Sequence, residues 1–374
     1  MGRFALAVLL VSGCCAAFGA GAPLSGVYLH PVEYADAPGS AEERAALVDA
    51  ALDKVAACGF TTLIPYANTS AGRDFWPSGA PETSAGGDWD ALGVLAEKAR
   101  ARGLRVMPGF CLLISGHEEP RGILTAHPEW ALRAADGKPQ GYISPANPAA
   151  RAWVVAHLRS MVEHIRPDGV MLDYLRYPSQ GNIRLDPEGE KMFDSQAPEG
   201  ETPAARKARF QQFKEDAITA LMTELNAMLR ETVPGIRTGL YTWGASVASG
   251  SPVGQCWPRW VRAGMLDVLN VSGYCYTENY GEKYMEVFET RLRDAAALAR
   301  EAGGKVELTF ALGVVTSHGG VKKPEEIGEY LAVARKAGYD GVAAFAWRTM
   351  EKYTDDAARA GWFKLSPAPG DTGK

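Results

Sequence analysis

Asp168-Gly-Val-Met-Leu-Asp-Tyr-Leu-Arg-Tyr-Pro178 decides the fold. Gly169 to Leu172 is apolar without alternation, so both faces of the segment must be covered. A strand of that kind belongs to a parallel sheet with helices packed against it. The flanking sequence supplies them: Pro148 to Ile165 reads as a helix leading in, and Ala204 to Thr232 as a long helix leading out. The strand closes on Asp173, a carboxylate at the end where such sheets place their chemistry.

The same unit recurs on both sides. Toward the N-terminus stand strand Gly26–His30, helix Ala41–Cys58, strand Thr61–Pro65, helix Asp90–Arg102 and strand Leu104–Phe110. Toward the C-terminus stand strand Arg237–Trp243, a short helix Pro258–Ala263, strand Leu266–Tyr274, helix Lys283–Ala302, strand Val306–Leu312, helix Pro324–Ala337 and strand Gly341–Trp347. Eight βα units predict an α/β protein, one single-domain (β/α)8 TIM barrel over residues 24–365. Gly59, Gly103 and Gly338 stand where helices should stop. A doubly wound sheet would carry a glycine-rich fingerprint after the first strand, and none is there. Residues 112–147 and 179–202 are long insertions after the third and fourth strands, where barrel loops build active sites.

The chain has 374 residues and 47% hydrophobic content, which fits a packed domain and not a disordered one. Lys and Arg total 39 against 44 Asp and Glu, a formal charge of −5, so a nucleic-acid partner is not expected. Residues 1–22 read as an export signal: Arg3, an apolar Phe4–Val11 too short to span a bilayer, then small residues. Val11-Ser-Gly-Cys14 reads as a lipobox that would leave a lipid on Cys14, and Ala17-Phe-Gly19 as an ordinary cleavage site. A periplasmic or extracellular location follows, with membrane contact only through that lipid. Cys58, Cys111, Cys256 and Cys275 have no CxxC spacing and no paired His, so zinc and redox motifs are not expected. They read as buried thiols, with Cys256 and Cys275 the nearest pair for a disulfide. Residues 366–374 read as a disordered tail.

In a barrel, polar residues at the strand ends face the cleft. The candidates are His30 and Glu33 on the first strand, Tyr66 and Asn68 on the second, and Asp173, Tyr174, Arg176 and Tyr177 on the fourth. The fifth offers Tyr241 and Trp243, the sixth Tyr274, Tyr276 and Glu278, and the eighth Trp347 and Arg348. Carboxylates among exposed aromatics suit carbohydrate: sugar rings stack on aromatic planes and hydroxyls bond to Arg, Asn and Asp. Asp168, at the start of its strand, reads as structural. No metal or cofactor is expected, since no Ser-His-Asp order, phosphate loop or HExxH is present. Of the His residues, only His30 sits clearly at a strand end, with His117 in the third loop, which leaves a metal-dependent deacetylase or isomerase as a minor alternative.

Residues 168–178 resemble the strand-four motif of the glycosyl-hydrolase-like 10 family, close to DGI-x-[FL]-D-[DY]-x-x-YP. Other segments agree in order: Asp90 to Met107, His127-Pro-Glu-Trp130, Ser144-Pro-Ala-Asn-Pro148, Gln255-Cys-Trp-Pro-Arg-Trp260 with Gly264-Met-Leu-Asp267, and Gly341-Val-Ala-Ala-Phe345. The resemblance spans roughly residues 24–350. It implies a (β/α)8 barrel that hydrolyses glycosidic bonds, with bacterial cell-wall glycan as substrate class, and it carries Asp173 and Arg176 over as site residues. Cys256 and Cys275 stand where the family pattern has Asp. A family 18 chitinase motif, DG-x-D-x-D-x-E, fits less well, because Met171 and Leu175 replace its middle Asp and its Glu.

Glycoside hydrolysis ordinarily uses two carboxyl groups, about 5 Å apart for retention and roughly 6.5–9.5 Å apart for inversion. Asp173 is expected as general acid or nucleophile and Glu278 as its first-ranked partner, ahead of Glu33 and Glu351. Glu307 begins the seventh strand and should face the opposite end. Tyr241, Trp243, Tyr276 and Trp347 are expected to form sugar subsites. The rival is an exported glycan-binding protein without turnover.

Overall fold

The structure is a computed structural model that describes residues 23–83, 89–179 and 182–364. The expected export signal, residues 1–22, and the expected tail, residues 366–374, lie outside the described residues. In chain order the strands are β1 (Ser25–Leu29), β2 (Thr62–Pro65), β3 (Arg105–Val106), β4 (Gly109–Cys111), β5 (Ile114–His117), β6 (Ala131–Arg133) and β7 (Pro139–Ile143). Then come β8 (Gly169–Asp173), β9 (Arg237–Thr242), β10 (Val268–Ser272), β11 (Glu307–Gly313), β12 (Val315–Thr316), β13 (Gly319–Gly320) and β14 (Gly341–Phe345).

Nine of these strands form one curled parallel sheet in the order β3-β2-β1-β14-β11-β10-β9-β8-β4, with helices between them in the chain. In register, Val27 lies beside Leu63 and Ala344, and Leu172 beside Phe110 and Leu240. The expected strand Leu104–Phe110 is split at Met107-Pro108, because proline has no N–H to give a ladder. β3 pairs with β2, and β4 pairs with β8. Across the split, Met171 N donates to Pro108 O and Ala67 N to Gly109 O, each at 2.8 Å.

The helices form for legible reasons. Ser40 and Glu43 close a capping box ahead of Ala41–Ala57, whose Val48, Ala51, Leu52 and Val55 line one buried face at helical spacing. Asn147 caps Pro148–Ile165 by accepting from Ala149 N and Ala150 N. Gly103 and Gly338 follow their helices at φ 73° and 87°, a left-handed stop that glycine takes without a steric cost.

Three expectations are corrected. The sixth and eighth strands end at Ser272 and Phe345, short of Tyr274 and Trp347, since Trp347 already begins a helical turn, Trp347–Met350. The insertion after the third strand is a small antiparallel sheet, β5-β7-β6, and not a plain loop. Cys256 and Cys275 are free and buried, as are Cys58 and Cys111, so the disulfide does not form. The chain's two described ends meet at the base: Ser25 Oγ donates to Phe363 O at 2.7 Å, and Phe60 stacks on Phe363 at 4.1 Å. Among the described residues no helix is long and apolar enough to cross a membrane.

Candidate active site

At the carboxyl ends of the sheet lies a cavity of about 670 Å³. β8 delivers Asp173 into it, and the chain then turns sharply. Tyr174 stands at φ 52°, a left-handed conformation uncommon for a residue with a side chain. The turn brings Arg176 between two rings, its guanidinium 4.6 Å from the Tyr174 centroid and 4.4 Å from that of Trp243. A guanidinium stacked this way keeps its in-plane N–H donors free for a ligand.

Asp173 is buried, with only 7% of its surface exposed. Its Oδ2 accepts from the Tyr66 hydroxyl at 2.8 Å, and its Oδ1 accepts from the Tyr174 N–H at 2.7 Å. Burial raises its pKa above the ordinary aspartate value, while Arg176, Tyr66 and the Tyr174 amide pull the other way without cancelling it. No ion pair joins Asp173 to Arg176, so the arginine acts on it only through space. Tyr66 itself is fixed by stacking, on His30 at 5.2 Å and on Tyr28 at 5.5 Å. Burial and the nearby Arg348 push the His30 imidazole down, which keeps it neutral at neutral pH.

Tyr28 is a contributor that strand patterning did not reveal. Thr309 Oγ1 donates to Asn270 Oδ1 at 3.0 Å, which turns the amide so that Asn270 Nδ2 donates to the Tyr28 oxygen at 2.9 Å. Tyr28 therefore has its own proton left to donate, and its ring lines the cavity. Burial and Asp173 hold that hydroxyl well above its usual pKa, so it stays protonated.

Of the residues expected at the site, His30, Tyr66, Asn68, Asp173, Tyr174, Arg176, Tyr241, Trp243 and Tyr274 line the cavity together. Asn68 is also a brace, since its amide both accepts from Cys111 N and donates to Cys111 O. The remaining candidates do not line it: Glu33 is half-buried in the helical turn Val32–Ala35, and Glu351 is paired with Lys54 at the surface. Glu278 is on the outer surface, where the Lys322 ammonium pairs with it and holds its carboxyl below the usual range. Tyr276 is buried and donates to Gly313 O at 3.0 Å. Tyr177 and Trp347 are buried in the packing, and Arg348 is exposed. The split on the sixth strand follows from where it ends: Ser272 closes β10 and with Tyr274 faces the cavity, while Cys275 and Tyr276, past the strand, turn into the core. A carboxylate at position 275 would therefore not line the cavity in this fold. Sequence reasoning also passed over Phe345, Ser272, Arg291 and His318 as lining residues.

Asp173 is the one carboxylate among the described residues that line the cavity. No group of three or more metal-ligating side chains converges among the described residues.

The glycosyl hydrolase-like 10 family model matches residues 23–295. No curated protein matches the chain. Among solved structures, the fold is similar to the PgaB (BpsB) glycoside hydrolase domain from Bordetella bronchiseptica, with a TM-score of 0.67 and 13% identity over 92% of this chain and 99% of that one. It is also similar to α-L-fucosidase isoenzyme 2 from Paenibacillus thiaminolyticus, with a TM-score of 0.63 and 13% identity over 90% of this chain and 48% of that one. A β-galactosidase from Halorubrum lacusprofundi gives a TM-score of 0.63 and 13% identity over 92% of this chain and 58% of that one. The chain thus spans about half the length of the fucosidase and somewhat more of the galactosidase. The motif around Asp173 and the family match cover the same sheet, and the chain belongs to the glycosyl hydrolase-like 10 family.

Proposed function

We propose that this protein hydrolyses glycosidic bonds in a bacterial cell-wall glycan or another polysaccharide, with Asp173 as the general acid, on a sheet that closes into a (β/α)8 barrel. The observation that carries the reading is a single buried carboxyl, raised in pKa, at the floor of an aromatic cavity. A carboxyl that holds its proton to higher pH than an ordinary aspartate can deliver it to a leaving oxygen, and such proton transfer contributes typically 10²–10⁴-fold. Tyr28 and Arg176 supply donors beside it for sugar oxygens. Tyr241, Trp243 and Tyr274 offer faces on which pyranose rings stack. The hydrogen bonds across the split third strand support closure of the sheet.

A second reading is favoured by the same lone carboxylate. With Glu278 engaged outside by Lys322, the two-carboxylate arrangement lacks its partner in the cavity, and a glycan-binding protein without turnover would need no partner. One experiment decides between them. Purified cell-wall glycan strands are incubated with wild type and with Asp173→Asn, products are followed by reducing-end release, and binding is followed by calorimetry. Hydrolysis by wild type that is lost in the variant, with binding retained, supports the enzyme. Binding by both with release by neither supports the binding protein. Full activity in Asp173→Asn would remove Asp173 from the mechanism.

A further inference from the structure

The β6–β7 hairpin, with β5 paired antiparallel to β7, forms the wall of a second cavity, about 750 Å³, lined by His117, Glu118, Glu119, Arg121, Gln140 and Tyr142. Its backbone is built to an unusual shape. An added Cβ at Gly141 would lie 2.4 Å from backbone atoms of Gly116 and His117, so glycine is what lets β7 come this close to β5. His117 stands at φ 66°. Together with Tyr174 and Arg166 it is one of the non-glycine residues at positive φ among those described. Conformations of this kind gather at functional sites, held there by the surrounding structure.

Two of these residues touch. The His117 ring meets the Tyr174 ring edge-on at 6.1 Å, and on its other side it meets Tyr142 edge-on at 6.3 Å. Tyr174 lines the main cavity, while His117 and Tyr142 line the second. His117 Nε2 also lies 3.2 Å from the hydroxyl of Ser70, another lining residue of the main cavity. The three rings therefore run as an unbroken aromatic path from the Arg176 stack to the hairpin. Gln140, on that hairpin, has a buried Oε1 with no hydrogen-bond partner among the described residues.

We propose that the hairpin cavity is a second sugar subsite, continuous with the main cavity across the Tyr174–His117 contact, so that the protein takes a glycan long enough to fill both. This rests on the glycan reading above. The chemistry matches: ring faces for C–H stacking, carboxylates and an amide oxygen to accept from hydroxyls, and Arg121 to donate.

The test measures affinity, which does not depend on turnover. In the full chain carrying Asp173→Asn, binding of soluble cell-wall glycan oligosaccharides of two and of eight sugar units is measured by calorimetry. The octasaccharide is expected to bind at least tenfold more tightly. His117→Gly, which suits the left-handed backbone, and Tyr142→Ala should each remove most of that preference and leave disaccharide affinity unchanged. Thermal melting of His117→Gly checks that the hairpin variant is folded. A length preference that survives in both variants, or no preference in the parent, overturns the subsite and leaves the main cavity's reading standing. Failure to bind either length overturns both.

Discussion

Asp168 and Asp173 begin and end the same strand, and the fold uses them in opposite ways. At the base, Asp168 Oδ2 accepts from Val106 N at 2.8 Å, and Asp168 N donates back to Val106 O at 2.9 Å. Asp267 repeats the device with Thr238, accepting from its N–H at 2.8 Å. Glu307 does the same work for the first strand, accepting from Leu24 N, and it pairs with Arg237 at 2.6 Å. These carboxylates satisfy backbone donors of other chain segments at the base of the sheet and so hold those segments in place. At the other end, Asp173 is withdrawn among tyrosines, and burial raises its affinity for a proton. A carboxylate that reaches the N–H of another chain segment is a fastener; Asp173, desolvated and bonded only to its own successor's N–H and a tyrosine hydroxyl, is the proposed reagent.

The sharpest way to break this contrast is Asp173→Asn. Turnover on a cell-wall glycan should fall by at least about a hundredfold, measured as initial rates of reducing-end release. The same variant has a stability signature. Because the folded pKa lies above the unfolded value, ionising Asp173 costs stability as pH rises above the ordinary aspartate range, near 3.9, and through the folded pKa. The Asn variant should therefore gain in melting temperature relative to wild type between about pH 4 and 7, and the gain should vanish at lower pH. A loss at pH 7 would make Asp173 a fastener too.

Tyr66→Phe should act more gently. It removes the hydrogen bond that favours the ionised form, so the Asp173 pKa rises further. The alkaline limb of the kcat profile, where the acid loses its proton, should move to higher pH, and kcat at the optimum should fall roughly tenfold. A limb that moves to lower pH would contradict the role given to the hydroxyl. At the base, Asp267→Ala should cost about 1.5–3 kcal/mol in denaturant unfolding, the net value of a hydrogen bond to a charged group, with kcat unchanged in the folded fraction. The smallest effect belongs to Glu278→Gln, which should leave kcat and KM within twofold of wild type. A large loss there would restore Glu278 as a catalytic partner.

Much of this contrast was legible in the chain. Gly169–Asp173 announces itself because an apolar run without alternation must be a strand covered on both faces. Asp168 and Glu307 were placed at the base by their position ahead of the apolar run. Less legible was which aromatic at a strand end turns inward. Tyr274 and Tyr276 have the same composition signal, but the strand stops at Ser272, and beyond it the chain folds into a capped turn that buries Tyr276. Tyr177 is lost to the core in the same way, after the left-handed turn at Tyr174. Tyr28 went unseen for the opposite reason: in a strand buried on both faces, nothing in the pattern separates cavity from packing. Its role depends on Asn270 and Thr309, which no spacing rule connects to it.

The meeting of β1 with β14 also bears on how the molecule is made. β1 has one neighbour, β2, near it in sequence, and the other arrives only with Gly341–Phe345. The lock of Ser25 onto Phe363 arrives later still. Until then β1 presents an open apolar edge, the feature that recruits other chains. Biogenesis of this domain is therefore a matter of waiting: a nascent chain that stalls before Gly341–Phe345 has an unpaired edge at β1, and the strand that protects it follows every other strand of the sheet.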